Sequence, residues 1–437
     1  MPAGIAWNNV RSNRTSFIAA FTAITLAVML VVGAELLLTS AHGDGRLRNL
    51  MSLFAVTAGL SGFVSIFVVA GTLSLHVLQQ RRTWGLLRTL GMTPGQVRRL
   101  VVAEALTVAV AACIAGSALA VPQAGLTAAF LTQVGLAPTG FEIVLDRPPF
   151  IVGTAVGIVV TLLAALTASR TAARVAPLEV LRDTAAQAHV MTWQRAAVGT
   201  AALAGGGVLL RVTSTASLTD AVPLGVVVTM ALCVAGSAFG PVLMRVVGGL
   251  PAAPIAALDP GPGGLARASI TVQPRRAASV ASPVMLTVAL ACTFVFAVAI
   301  ADTSDGRERA GVQLWAIVLL VGTAVSYTMI SVLNSTAMSM STRAAELRLL
   351  RSTGTTPRQL TRALCWESLI ATCSGALAGT LIAIVSLGAV SLAGTGSPWF
   401  GYSLPLYLAL VWLCAAAGLA GALLSTRRAR HGPLVTG

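Results

Sequence analysis

There is not one lysine in the chain: all 29 basic residues are arginine, and charged residues of both signs make up only 10% of the 437 positions. A soluble domain carries about a quarter charged residues, so charge this sparse excludes one. The missing lysine excludes a second class, because a Walker A loop needs its lysine on the nucleotide phosphates. Histidine is scarce too: His42, His76, His189 and His431 are isolated, without metal or triad spacing, and read as structural or interfacial. The six cysteines (Cys113, Cys233, Cys292, Cys365, Cys373, Cys414) lie scattered through apolar runs without disulfide or metal spacing, as small buried hydrophobes do. No cleavable signal peptide is expected either, since the first apolar run, 16–40, is long enough to cross a bilayer and reads as a retained helix.

What is present is apolar surface. The chain is 56% hydrophobic with a mean hydropathy of +0.85, the composition of an integral membrane protein. Ten segments meet or nearly meet the roughly 20 residues a spanning helix needs. They run over 16–39, 53–78, 100–122, 150–169, 196–212, 221–247, 279–301, 312–338, 365–392 and 404–425, the fifth being short and glycine-rich. Arginine tests the count. With both termini in the cytoplasm, inner segments hold 23 arginines and outer segments hold six (Arg46, Arg48, Arg147, Arg211, Arg307, Arg309), as the positive-inside rule demands. The net charge of +15 therefore reports topology and contact with anionic headgroups of the bilayer, not nucleic acid. Alanine abundance without lysine suits a GC-rich bacterial genome, so the expected location is the bacterial plasma membrane.

The chain also repeats itself. At an offset of 263, residues 87–104 match 350–367 at eight of 18 positions: Leu87/Leu350, Arg88/Arg351, Gly91/Gly354, Thr93/Thr356, Pro94/Pro357, Gln96/Gln359, Arg99/Arg362 and Glu104/Glu367. "GIAWNNVRSNR" before the first helix is echoed by "GLARASITVQPRR" before the seventh, and "SRTAARVAPLEVLR" by the closing "STRRARHGPLVTG". The expected fold is all-α, with about ten transmembrane helices arranged 4+2+4. Residues 1–183 form a first four-helix module, 184–263 two linking helices and a proline- and glycine-rich cytoplasmic linker (248–264), and 264–437 a second module. An even number of linking spans makes the two modules parallel.

Each repeated phrase lies between the second and third helices of its module, on the inner side. Gly91 stands where a left-handed cap ends a helix, and Thr93-Pro94-Gly95-Gln96 then supplies an N-cap threonine, proline at the first helical position and glutamine at the third. Gly354 and Thr356-Pro357-Arg358-Gln359 spell the same turn. Before it, Arg82, Leu86 and Arg88 mix basic and apolar positions as a helix lying at the membrane surface does. The expected product is an elbow, an in-plane helix joined rigidly to a transmembrane one. Orientation alone would need the arginines but not a duplicated capping turn, so the spacing points to force transfer.

At these residues the sequence resembles the FtsX-like permease family, membrane subunits of MacB-type and bacitracin-exporter-type ATP-binding-cassette systems. The resemblance rests on Arg343, Glu346, Leu349 to Arg351, Gly354, Thr356 to Gln359 and Glu367, on "LLRTLGMTPGQV" in the first copy, and on "APLEVLR" (176–182). The first copy departs from it at Thr83 and Trp84, where an acidic residue is expected, and the second fades after Pro433-Leu434. The resemblance implies that Arg81, Arg82, Leu87, Arg88, Gly91, Thr93, Pro94 and Gln96, with Arg343, Glu346, Leu350, Arg351, Gly354, Thr356, Pro357 and Gln359, build two coupling helices that dock a cytoplasmic ATPase, in two copies. It also implies a non-catalytic permease with no cofactor of its own, ATP and magnesium being bound by the partner. Unlike members with a large extracytoplasmic domain, this chain leaves only 41–51 and 302–311 for such an insertion, and 122–149 reads as a small outer lid. An amphipathic or lipid-like cargo, such as a peptide, antibiotic or lipid-linked molecule, suits so little outer structure. The alternatives are a secondary transporter, for which no set of midplane charges is found, and a sensory subunit that transmits ATPase motion without passing cargo.

Few charges fall inside the spans. Glu104 and Glu367 occupy equivalent places in the restarted helices and read as partners of Arg88 and Arg351, a packing ion pair being favoured over a proton relay. Glu35, near the outer end of the first helix, snorkels to water or faces substrate, and Asn334 in the eighth is interhelical glue or a second substrate-facing group.

Overall fold

The computed structural model describes residues 14–42, 48–79, 89–138, 140–173, 191, 193–305, 322, 352, 354–399 and 404–431. Among them there is helix and no strand. The helices are α1 (Arg14–Ala41), α2 (Arg48–Gln79), α3 (Pro94–Gln133), α4 (Arg147–Ala173), α5 (Trp193–Thr215), α6 (Leu218–Ala238), α7 (Gly240–Val246), α8 (Gly249–Leu258), α9 (Pro260–Val272), α10 (Pro274–Asp305), α11 (Pro357–Thr395) and α12 (Leu404–His431). Eight are long and apolar enough to span a membrane: α1 to α6, α10 and α11. In lipid every backbone group must be satisfied within the segment, which is why chain of this composition becomes helix throughout. The chain divides into two compact units, Met1–Ala188 and His189–Gly437.

In the first unit α1 packs against α2, α3 and α4. Small residues set the distance between helices, as they must where lipid removes the hydrophobic drive for association. A methyl group on Gly116 of α3 would lie 2.6 Å from the Thr25 carbonyl oxygen of α1, so the two backbones touch there. Gly153 and Gly157 of α4 make room for the side chains of Val32 and Val28 of α1. The Ser65 hydroxyl of α2 adds a bond to the Ala27 carbonyl at 3.3 Å. The second unit repeats the contact. Gly379, 263 residues after Gly116, would place its methyl 2.6 Å from the Met285 carbonyl oxygen of α10, and Gly375 meets Ala281 one turn earlier. Onto the α10–α11 pair the second unit adds α6, through Gly225 against Val390 and a buried Thr229–Thr293 hydroxyl bond of 3.0 Å, and α12, through Thr380 and Tyr407 at 2.8 Å.

Three sequence expectations change. The third and ninth segments, read as 100–122 and 365–392, are helices of 40 and 39 residues that begin at their capping turns. At 1.5 Å per residue each is about 60 Å long, twice the hydrocarbon thickness. Because α3 continues through Pro122 to Gln133, most of the supposed outer lid is helix; the loop proper is 134–146, tied to α1 by the Val144 amide donating to Ser40 Oγ at 3.0 Å. The sixth segment, read as 221–247, ends at Ala238, and a short α7 follows. The proline- and glycine-rich linker 248–264 holds α8, bent 45° from α7, and the first turns of α9. Pro260 sits at the start of α9, and Gly248 and Gly263 lie at close contacts, Gly263 against the Ile255 carbonyl. The eighth expected span, 312–338, lies outside the described residues apart from Gly322, and the tenth, 404–425, falls on α12.

Candidate functional site

Two capping turns with the same geometry open α3 and α11. Thr93 has φ −74° and ψ 153°, and Thr356 φ −73° and ψ 152°. The Gln96 amide donates to Thr93 Oγ1 at 3.4 Å, while the Thr93 amide donates to Gln96 Oε1 at 2.9 Å. In the second copy the reciprocal distances are 3.3 Å, from the Gln359 amide to Thr356 Oγ1, and 3.0 Å, from the Thr356 amide to Gln359 Oε1. Two otherwise orphaned amides are satisfied at each turn, and Pro94 and Pro357 occupy the position where a missing N–H costs nothing. Gly91 (φ 96°) and Gly354 (φ 94°) hold the left-handed conformation that reverses the chain just before each cap. The next inward residues, Val97 and Leu360, are buried and pin each turn to its unit.

Around this anchor most of the described residues are exposed. Leu90, Pro94, Gln96, Arg98 and Arg99 face out at the first turn, and Pro357, Arg358, Gln359 and Arg362 at the second. Each capping turn therefore presents exposed arginines at the start of a continuous helix, along which a push can be passed. Arg81, Arg82, Leu87 and Arg88 of the first elbow, and Arg343, Glu346, Leu350 and Arg351 of the second, lie outside the described residues, as does Asn334. The proposed partners of Glu104 and Glu367 are among them. Glu104 is buried, Glu367 half-buried, and Glu35 half-buried in α1. Among the described residues no group of His, Cys, Asp or Glu is arranged to hold a metal ion.

One polar cluster escaped the sequence reading. Asp259, between α8 and α9, accepts from Trp366 Nε1 at 2.9 Å and pairs with Arg362 at 3.1 Å through the same carboxylate oxygen. Asp followed by proline is a helix-start signal that could have located the α9 terminus, but its partners are more than a hundred residues away.

Comparison with curated proteins yields no match. The model of the FtsX-like permease C-terminal domain matches twice, over residues 55–177 and 316–434, one match in each half of the chain and together more than half of it. With its apolar spans and duplicated capping turns, the chain belongs to the FtsX-like permease family, as a multi-pass permease subunit of an ATP-binding-cassette transporter.

Proposed function

We propose that the chain is the membrane half of an ATP-driven exporter, taking an amphipathic or lipid-like molecule from the bilayer and moving it outward. Two copies of a cytoplasmic ATPase, which bind the ATP and magnesium, dock on the two elbows; closure of the ATPase dimer draws the elbows together and hydrolysis releases them. The observation that carries this reading is the duplicated capping turn at the start of two unusually long helices, α3 and α11. A capped, continuous helix transmits displacement without absorbing it, and packed helices shift as units. The cargo class is supported by the outer face: α1 ends at Ala41 and α2 begins at Arg48, which leaves no room there for a folded receptor domain. Such a permease takes cargo from the membrane rather than from a periplasmic stalk. In this reading the membrane is the bacterial plasma membrane and both termini are cytoplasmic.

The test is co-purification from native membranes. An ATP-binding-cassette ATPase should be retained, and its hydrolysis should depend on the permease. Replacing Arg88 and Arg351 together by glutamate should leave membrane insertion intact and abolish that association. Flux driven by a proton or sodium gradient without ATP would sink the proposal, and so would a fully assembled complex carrying both glutamates.

A further inference from the structure

The two elbows share their capping turns but not their surroundings. Arg362, on the first turns of α11, has Arg99 as its counterpart in the repeat; Trp366, one turn further, has Ala103, which carries no polar side chain. Arg99 and Ala103 are exposed. In the second unit the guanidinium and the indole N–H both converge on Asp259 Oδ2, at 3.1 and 2.9 Å.

Asp259 is placed to do something else. It stands at the N-cap of α9 with Pro260 behind it, yet its side chain makes no capping bond. Its φ of −138° and ψ of 79° differ from the extended geometry of the two capping threonines, and the carboxylate crosses to α11 instead. A stabilising local bond is given up for a long-range one. The Asp259 side chain is 12% exposed against 65% for Arg362, so the carboxylate is fixed in the protein and the arginine remains in solvent. The ion pair is screened accordingly, and the indole bond supplies the directional part of the lock. Beneath it lies an apolar seam: Met244 of α7, Ile255 of α8 and Ile270 of α9 form one buried cluster with Ile370 of α11, and Trp366 and Leu369 pack against it.

We propose that Asp259 is a positioning residue that makes the second elbow and the α7–α9 turn one mechanical body. A stroke received at Arg358 and Arg362 then reaches α6 and α10, the helices on either side of that turn, as well as α11. The first elbow has no indole at the equivalent place. The two strokes are therefore unequal, and the linking helices respond to the second. This inference rests on the coupling role proposed above, and its test separates the two.

Hydrogen exchange is measured on the chain in lipid nanodiscs, alone and in complex with the co-purifying ATPase arrested with ATP and orthovanadate. In the chain alone, Asp259→Asn should raise exchange about tenfold in both peptides 249–272 and 357–366, Arg362→Ala should raise it less, and Arg99→Ala should leave both unchanged. In the complex, nucleotide arrest should alter the protection of 249–272 in the wild type. That response should be lost in Asp259→Asn while 357–366 still responds, and Asp259→Glu should restore it. Unchanged exchange at 249–272 in the isolated Asp259→Asn chain overturns the brace, as does a wild-type turn that ignores nucleotide while the elbow responds. If no ATPase associates, the coupling role falls, and the measurement on the chain alone still decides whether the brace exists.

Discussion

Thr93 and Thr356 show how little sequence is needed to fix a stiff joint. Each is the acceptor for one orphaned amide and presents its own amide to the glutamine three residues on. Thr93→Ala and Thr356→Ala should each loosen the first helical turn by about 1 kcal/mol, roughly a fivefold rise in amide exchange there, and threonine to serine should not. The glycines of the first turn offer a sharper contrast. At Gly91, with φ 96°, alanine forces a side chain into left-handed backbone and should destabilise the elbow by about 1 kcal/mol or more. Gly95, four residues on, sits inside the helix with open space where a Cβ would be, so Gly95→Ala should be neutral or slightly stabilising. Equal losses from both substitutions, read by thermal unfolding and by permease-stimulated ATP hydrolysis, would mean that the backbone conformation is not what stiffens the turn.

Between elements the decisive contacts are backbone to backbone, and they recur with the repeat. Gly116 on Thr25 and Gly379 on Met285 hold the third helix of each module against its first. Gly116→Val or Gly379→Val should cost roughly 1–3 kcal/mol through overpacking and lower the melting temperature in detergent. Gly125→Val on the same α3, with nothing within 4 Å of its Cβ position, serves as the control. These pairs explain which parts of the architecture could be read from sequence. Spans, repeat and caps are legible because each depends on local pattern: apolar length, identity at a fixed offset, or a side chain bonding three residues away. The α7–α9 turn is less legible because Pro254, Pro260, Pro262 and the neighbouring glycines signal breaks, and only packing shows that the breaks separate short helices. Asp259 and Trp366 are 107 residues apart, and no periodicity joins them. The reach of α3 was underestimated for a different reason. Pro122 and the polar Gln123 look like an exit from the membrane, but a long helix tolerates both where neighbours such as Gly33 of α1 leave room for the glutamine side chain.

For the molecule as a whole, the placement of charge along the longest helices supports the proposed orientation. On α3 the charged residues Arg98, Arg99 and Glu104 all fall in the first turns, and no further charge appears until Glu142 beyond the helix end. On α11 the last charge is Glu367, and the chain then runs without one through the rest of that helix, the connection and most of α12 until Arg427. The α11–α12 hairpin thus carries its charges only at its two open ends, and its turn has none. Exposed Trp399 stands at that turn, and exposed Trp193 at the opposite kind of end, beside Arg195. Since arginine is retained on the cytoplasmic side and tryptophan settles at either interface, this pattern supports the proposed orientation, with the capping turns inside and the 134–146 loop outside. Single cysteines test this on intact cells with a membrane-impermeant maleimide. Glu142→Cys should react from outside, whereas Arg98→Cys and Arg358→Cys should react only after permeabilisation, each measured against the parent chain because Cys365 and Cys373 are half-buried. Labelling of Arg98→Cys or Arg358→Cys from the exterior would put both elbows out of an ATPase's reach. The mechanical reading would fail with them, whatever the packing inside each unit.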